Sequence, residues 1–167
     1  MVDLNKTREH AEAQFWEQVG EVRAGMLGVQ GLPDHMQPMS PREEPEAKTL
    51  WFYLSSDSDL YQQVTGGHDT AHFCVVGKDH DYHACAAGTL RENKDPAKVE
   101  EYWSPMVAAW FEGGKEDPHM TLFEMTLREA AIWGSTDSNV KFAWNIAKAN
   151  IDKEKTPDVG YRTTVRF

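Results

Sequence analysis

Residues 71–77 and 82–90 alternate apolar with polar side chains on either side of Lys78-Asp79-His80-Asp81. Two runs of period two joined by a short polar link predict an antiparallel hairpin. Pairing Gly77 with Tyr82 sets Cys74 opposite Cys85 and places His72 and His83 on the same face. The other face then carries Phe73, Val75, Tyr82, Ala84 and Ala86, the composition of a core surface. A chain holding such a hairpin must cover that surface with further strands or with helices.

The covering elements are readable along the chain. Residues 3–22 predict a helix with Phe15, Trp16, Val19 and Val22 on one face. Residues 24–29 and 35–40 read as strands, the second placed at an edge, a bulge or a strand end by Pro38. Residues 42–48 read as a charged loop. Leu50-Trp51-Phe52-Tyr53-Leu54 is a strand buried on both faces. It opens into the hydroxyl-rich turn Ser55-Ser56-Asp57-Ser58-Asp59, where Ser58 or Asp57 caps a short helix carrying Leu60, Tyr61 and Val64. Asp95-Pro96 starts a longer helix as N-cap and first helical residue. Pro105 kinks or interrupts it and Gly113-Gly114 ends it. Residues 120–127 form a last strand, followed by a segment at 130–134 carrying Trp133. Val140, Phe142, Ala143 and Ile146 then recur at helical spacing. Strands joined in hairpins, without regular β-α-β alternation, predict a mainly β fold with flanking helices: an antiparallel barrel or sheet with helices packed outside.

With 167 residues the chain suits one domain, able to bury about two thirds of its unfolded surface. A net charge of −10 and no dense Lys/Arg run leave no electrostatic drive toward nucleic acid. The N-terminal stretch is polar and no apolar run reaches transmembrane length, so a cytoplasmic protein is expected. Two cysteines supply no disulfide framework. His72, Cys74, His83 and Cys85 would share one hairpin face as a soft, zinc-like patch. Strand residues two apart close poorly around one ion, however, and buried thiols beside hydrogen-bonded imidazoles are the favoured reading. No Gly-x-Ser-x-Gly elbow, dinucleotide fingerprint or Walker loop occurs, and no residue identifies itself as an acid, base or nucleophile. Six tryptophans and seven phenylalanines imply an aromatic core, a flat ligand, or both. The turn after residue 54, with hydroxyls and a helix start, is a candidate anion seat.

Several segments taken together carry a resemblance: Arg23-Ala24-Gly25-Met26-Leu27, Gln37-Pro38-Met39, Leu50-Trp51-Phe52 leading to Ser58, and Trp133 followed by Gly-Ser. The most specific is Tyr102-Trp103-Ser104-Pro105 leading to Ala109-Trp110-Phe111 and Gly113-Gly114. Over residues 10–137 the chain resembles the general stress protein branch of the pyridoxamine 5'-phosphate oxidase-like, flavin-binding split β-barrels. The resemblance implies a six-stranded antiparallel split β-barrel over residues 1–137; beyond it, the helical spacing of Val140, Phe142, Ala143 and Ile146 predicts a helical extension packed on the same domain over 138–167. It implies a homodimer with FMN in clefts at the dimer interface and, as chemistry, flavin-dependent oxidation or reduction of a small molecule. By position, Gln37, Pro38 and Met39 would lie along the ring or ribityl chain. Ser55, Ser56 and Ser58 would approach the phosphate end. Trp110 and Trp133 would stand near the cleft, from one chain or the other. Family members commonly carry arginine where this chain has Gln37, and a lysine near Asp59-Leu60-Tyr61. Without these cations the phosphate seat is left with hydroxyls, backbone N–H groups and a cation from elsewhere, such as Arg42, Lys48 or a histidine. FMN, a different or non-phosphorylated flavin, and an empty cleft in a non-enzymatic dimer are the alternatives that follow.

Overall fold

The computed structural model describes residues 2–135 and 160–167. Strands β1 (Gly25–Val29), β2 (Gln37–Met39), β3 (Arg42–Glu44), β4 (Thr49–Ser55), β5 (Thr70–Val76), β6 (Tyr82–Asn93), β7 (Met120–Ser135) and β8 (Gly160–Arg166) form one antiparallel sheet. Its order is β2-β1-β5-β6-β7-β4-β3, with β8 joining β7. The outermost strands of that order, β2 and β3, are joined only through Ser40 and Pro41. The sheet must therefore curl until its two edges approach, and they do so without pairing. This is a split barrel, its split lying at residues 37–42.

The hairpin forms in the expected register, with Cys74 opposite Cys85 and Gly77 N–H donating to the Tyr82 carbonyl at 2.8 Å. Phe73, Val75, Tyr82, Ala84 and Ala86 all point into the core. Phe52 meets Phe73 there with ring centroids 5.2 Å apart. One long strand, β7, replaces the two segments read at 120–127 and 130–134. The pairing of β6 with β7 shifts register between Ala87 and Gly88, so the buried set moves from Phe123, Met125 and Leu127 to Ala130 and Ile132. This bulge reverses the phase of the alternation, and a phase reversal is what made one strand look like two. A Cβ on Gly88 would lie 2.4 Å from the Thr126 carbonyl oxygen, so glycine is required where the backbones crowd.

Among the described residues eight strands stand where six were expected. The first addition, β3, replaces part of the expected charged loop; Arg42-Glu43-Glu44 has no strand composition of its own. It pairs with β4 at the sheet edge, where charged residues are common, and Glu44 accepts the Trp51 indole N–H at 2.8 Å. The second, β8, is extended over residues 160–166, within the stretch 138–167 expected to be helical, with Tyr161, Thr163 and Val165 on the more buried side. The helix expected near 139–148 lies outside the described residues. Phe167, just past β8, packs its ring against Phe15 and Trp16.

The first helix is two, α1 (Leu4–Glu9) and α2 (Ala11–Glu21), broken at His10. Phe15 and Val19 of α2 close one side of the core. Ser58 caps α3 (Asp59–Thr65) as expected, and Asp95 caps α4 (Pro96–Tyr102) with Pro96 in its first turn. The long helix stops at Tyr102 and restarts as α5 (Pro105–Ala108), capped by Ser104. Pro105 thus begins a helix instead of bending one.

Candidate functional site

At the split, β2, the C-terminal end of β4 and the α5 segment enclose a cleft of about 280 Å³. Its lining includes Gln37, Pro38 and Met39 from the edge strand, Ser55 and Ser58 from the turn after β4, and Trp110 beyond α5. Sequence position brought these residues forward as candidates, and the curl of the sheet brings them to one concave surface. Ser56 and Trp133 are placed elsewhere. The Ser56 hydroxyl lies 3.4 Å from His119 Nδ1, turned away by the alternation of the strand end. Trp133 sits on β7 opposite His83, its ring beneath the Arg162 guanidinium at 5.5 Å.

The walls explain why the other lining residues belong. Leu54, Val107 and Phe111 are buried and form an apolar floor. Trp110 is 81% exposed and Met106 57% exposed at the mouth, the most exposed of the large apolar side chains among the described residues. Uncovered aromatic and thioether surface beside a concavity marks a binding face. The signal available for this face was Ser104-Pro105: read as cap and first helical residue, it turns the second helical segment away from the first and toward β2.

The serine turn is largely committed to its own structure. Ser58 Oγ donates to the Ser55 carbonyl at 2.7 Å and accepts from Tyr61 N–H at 3.2 Å. Ser55 Oγ accepts from Asp57 N–H at 3.2 Å, which leaves its proton for a ligand. Asp57, whose charge would oppose an anion here, faces His119 at 3.0 Å.

Arg42 is the charged residue of the lining. Its guanidinium donates to Ser104 Oγ at 3.3 Å and to the Pro41 carbonyl at 3.2 Å, which fixes it between β3 and the start of α5. Arg42 pairs with Trp51, four residues before Ser55, so their backbones stand about 13 Å apart along β4, while the guanidinium itself acts on Tyr53. The cleft lining thus carries both serine hydroxyls and a guanidinium. Lys48 pairs with Glu12 outside the cleft. Tyr53 also lines the cleft, its hydroxyl donating to the Val99 carbonyl at 2.7 Å. Burial pushes that phenol up to about 12, with nearby Arg42 opposing the shift, so Tyr53 stays protonated at neutral pH.

Behind the cleft, α4 is clamped to β4. Trp51 stacks on Tyr102 at 5.1 Å, and Tyr53 meets Trp103 edge-on at 5.8 Å. Lys98 Nζ lies 5.2 Å and 5.3 Å from the Trp51 and Tyr102 ring centroids and donates to Glu44 at 2.9 Å. That bond from Lys98 is the main reason the Glu44 carboxyl is held below its ordinary range. The aromatic block that carries the resemblance thus holds the wall in place, while Trp110 and Phe111 reach the cleft itself.

On the hairpin, His72 faces Ala87 and His83 faces Val76, to either side of the cysteine pair. No group of three or more metal-ligating side chains comes together among the described residues. No helix among them is long and apolar enough to cross a membrane.

Comparison with known proteins agrees with this architecture. A comparison with curated proteins returned no match. Among solved structures, a candidate general stress protein 26 from Jannaschia sp. CCS1 is 33% identical, with 95% of this chain and 99% of that one covered and a TM-score of 0.76. The general stress FMN/FAD binding protein from Xanthomonas citri is 35% identical, with 75% of this chain and 89% of that one covered and a TM-score of 0.67. A protein related to general stress protein 26 from Clostridium acetobutylicum shares the fold at 16% identity and a TM-score of 0.64, over 80% of this chain and 91% of that one. A sequence profile of the family described as pyridoxamine 5'-phosphate oxidase like matches residues 10–158. Profile, barrel and split all place the chain in one group: it belongs to the pyridoxamine 5'-phosphate oxidase-like family.

Proposed function

We propose that the chain binds a flavin, FMN in the first instance, in the cleft at the barrel split, as a homodimer. The observation that carries this reading is the cleft lining: an apolar and aromatic wall together with serine hydroxyls and a guanidinium. Such a surface suits a flat ring system with a polar, anionic tail. The relative from Xanthomonas citri, described as FMN/FAD binding, supports the same reading.

The residues fit the group in kind. Leu54, Val107, Phe111 and Trp110 would hold the ring. Gln37 offers an amide to its polar edge, and Ser55 offers a hydroxyl proton to the tail. A volume of about 280 Å³ is at the lower limit for a ligand site, and the mouth carries exposed Trp110 and Met106. A second copy of the chain covering that mouth completes the enclosure. A bound flavin supplies electron transfer, and the protein's part is to bind, orient and exclude water. Tyr53 stays protonated and its proton is engaged with Val99, so it holds the wall and leaves proton transfer to the ligand and solvent.

Titration of the purified protein with FMN, FAD and riboflavin, followed by quenching of flavin fluorescence, tests the proposal. The expected result is saturable quenching with micromolar or tighter affinity, by a species of twice the 19.0 kDa chain mass in light scattering. Quenching by riboflavin alone would reassign the ligand to a non-phosphorylated flavin. No quenching by any of the three, or a monomer that binds none, overturns it.

A further inference from the structure

The His-x-Cys repeat at residues 72–74 and 83–85 has no part in the cleft. It lies on the outer face of the hairpin, where Cys74 and Cys85 are both partly exposed free thiols. The two are directly opposite in the ladder, between the pairs His72–Ala87 and Val76–His83. Gly77 N–H bonds the Tyr82 carbonyl and Leu90 N–H bonds the Asp69 carbonyl, both at 2.8 Å, so the ladder bonds fall at odd-numbered positions of β5. Cys74 and Cys85 are therefore a non-hydrogen-bonded pair, the narrow kind, with Cα atoms about 4.5 Å apart. That separation is within the range a disulfide spans without backbone movement.

We propose that Cys74 and Cys85 are a modification site: a dithiol that a hydroperoxide converts, within one chain, to a cross-strand disulfide. In the first step the Cys85 sulfur attacks the peroxide, the O–O bond breaks, a sulfenic acid forms and water or an alcohol leaves. In the second, the Cys74 sulfur attacks the Cys85 sulfur, the S–S bond forms, and the sulfenic oxygen leaves as water with the Cys74 proton. The two sulfurs together lose two electrons to the peroxide. Burial, and then the neighbouring Cys85 thiol, push the Cys74 thiol up to about 12, which suits it to the second, resolving step. Met26 pairs with Cys74 from β1 and is 40% exposed, so three sulfur atoms lie in one row across β1, β5 and β6. The methionine reports whether oxidant has reached this face.

The test uses the reduced full-length protein and hydrogen peroxide, read by intact mass, alkylation and peptide mapping. The expected product has lost two hydrogens, takes up no alkylating agent at either cysteine, and yields a peptide linking Cys74 to Cys85. Its rate of formation is independent of protein concentration, and dithiothreitol restores both thiols. In Cys74→Ser the reaction stops at Cys85 as a sulfenic acid that dimedone traps. Disulfide-linked dimers, oxidation of one wild-type thiol without the other, or Met26 sulfoxide with both thiols still alkylatable overturns the proposal. The wild-type measurements decide the matter even if the serine variant folds poorly.

Discussion

The hairpin wall and the cleft wall of this barrel are built on different terms. In β5 and β6 every second residue from Ala71 to Val75 and from Tyr82 to Leu90 points inward and is buried. In the cleft wall, Trp51 is 3% exposed while Trp110 is 81% exposed, although both belong to the aromatic blocks that mark the sequence. Trp51 is held by a carboxylate, an ammonium and a stacked phenol ring. Trp110 is left uncovered over a concavity. One wall spends its apolar residues on folding, and the other leaves some of them uncovered.

Phe73 gives the largest expected effect. It is fully buried, against Phe52 and above Gly25, where a Cβ would come within 2.5 Å of its ring. Phe73→Ala should lose about 3–5 kcal/mol, or about 10 °C of melting temperature. Thermal unfolding followed by circular dichroism checks it; a loss below about 1 kcal/mol would show that the hairpin wall is not packed as described. Gly88→Ala comes next, because its new methyl would meet a backbone oxygen, which cannot rotate away. The expected loss is about 1–3 kcal/mol, read in urea denaturation.

What was legible in the sequence follows the same division. The hairpin register was fixed by strict alternation, and the helix starts at Ser58 and Asp95 by their caps, because both signals are local. The strand β3 was not legible, since Arg42-Glu43-Glu44 owes its extended state to Trp51 and the β4 edge. Nor was β8, whose partner on β7 lies about thirty residues earlier in the chain. Of the candidate site, Gln37, Pro38, Met39, Ser55, Ser58 and Trp110 reach one surface. Tyr53, Met106 and Phe111 joined them only once the chain had curled. Trp133 looked equivalent to Trp110 in sequence, and its place beside β8 could not be read without β8.

A pH measurement separates the two walls more finely. The Glu44 carboxyl is held below its ordinary value of 4.5, chiefly by Lys98. A depressed carboxyl contributes stability that is full above that ordinary value and is lost as pH falls through the lower folded value. Glu44→Gln should therefore cost about 1 kcal/mol near neutral pH and nothing once the wild-type carboxyl is protonated. Urea unfolding of both proteins across the acid range checks this. A gap that persists at the acid end would mean that Glu44 acts by shape and not by charge. Phe73→Ala, by contrast, should show a penalty with no pH dependence of its own.

The smallest effect on stability should come from Trp110→Ala, and that smallness is what the comparison requires. A side chain 81% exposed gives up little burial on truncation, so the folded chain should change by less than about 0.5 kcal/mol. If the proposed flavin occupies the cleft, its affinity should fall about tenfold or more, because the same indole would supply stacking surface to its ring. Denaturation and FMN titration on the same preparation read the two quantities separately. If truncation destabilised the monomeric unit by several kcal/mol and left FMN binding intact, Trp110 would be packing like Trp51. The cleft wall would then differ from the hairpin wall in appearance only. If stability held and affinity fell, the exposed tryptophan would be the point at which this sequence gives up folding energy to make a binding surface.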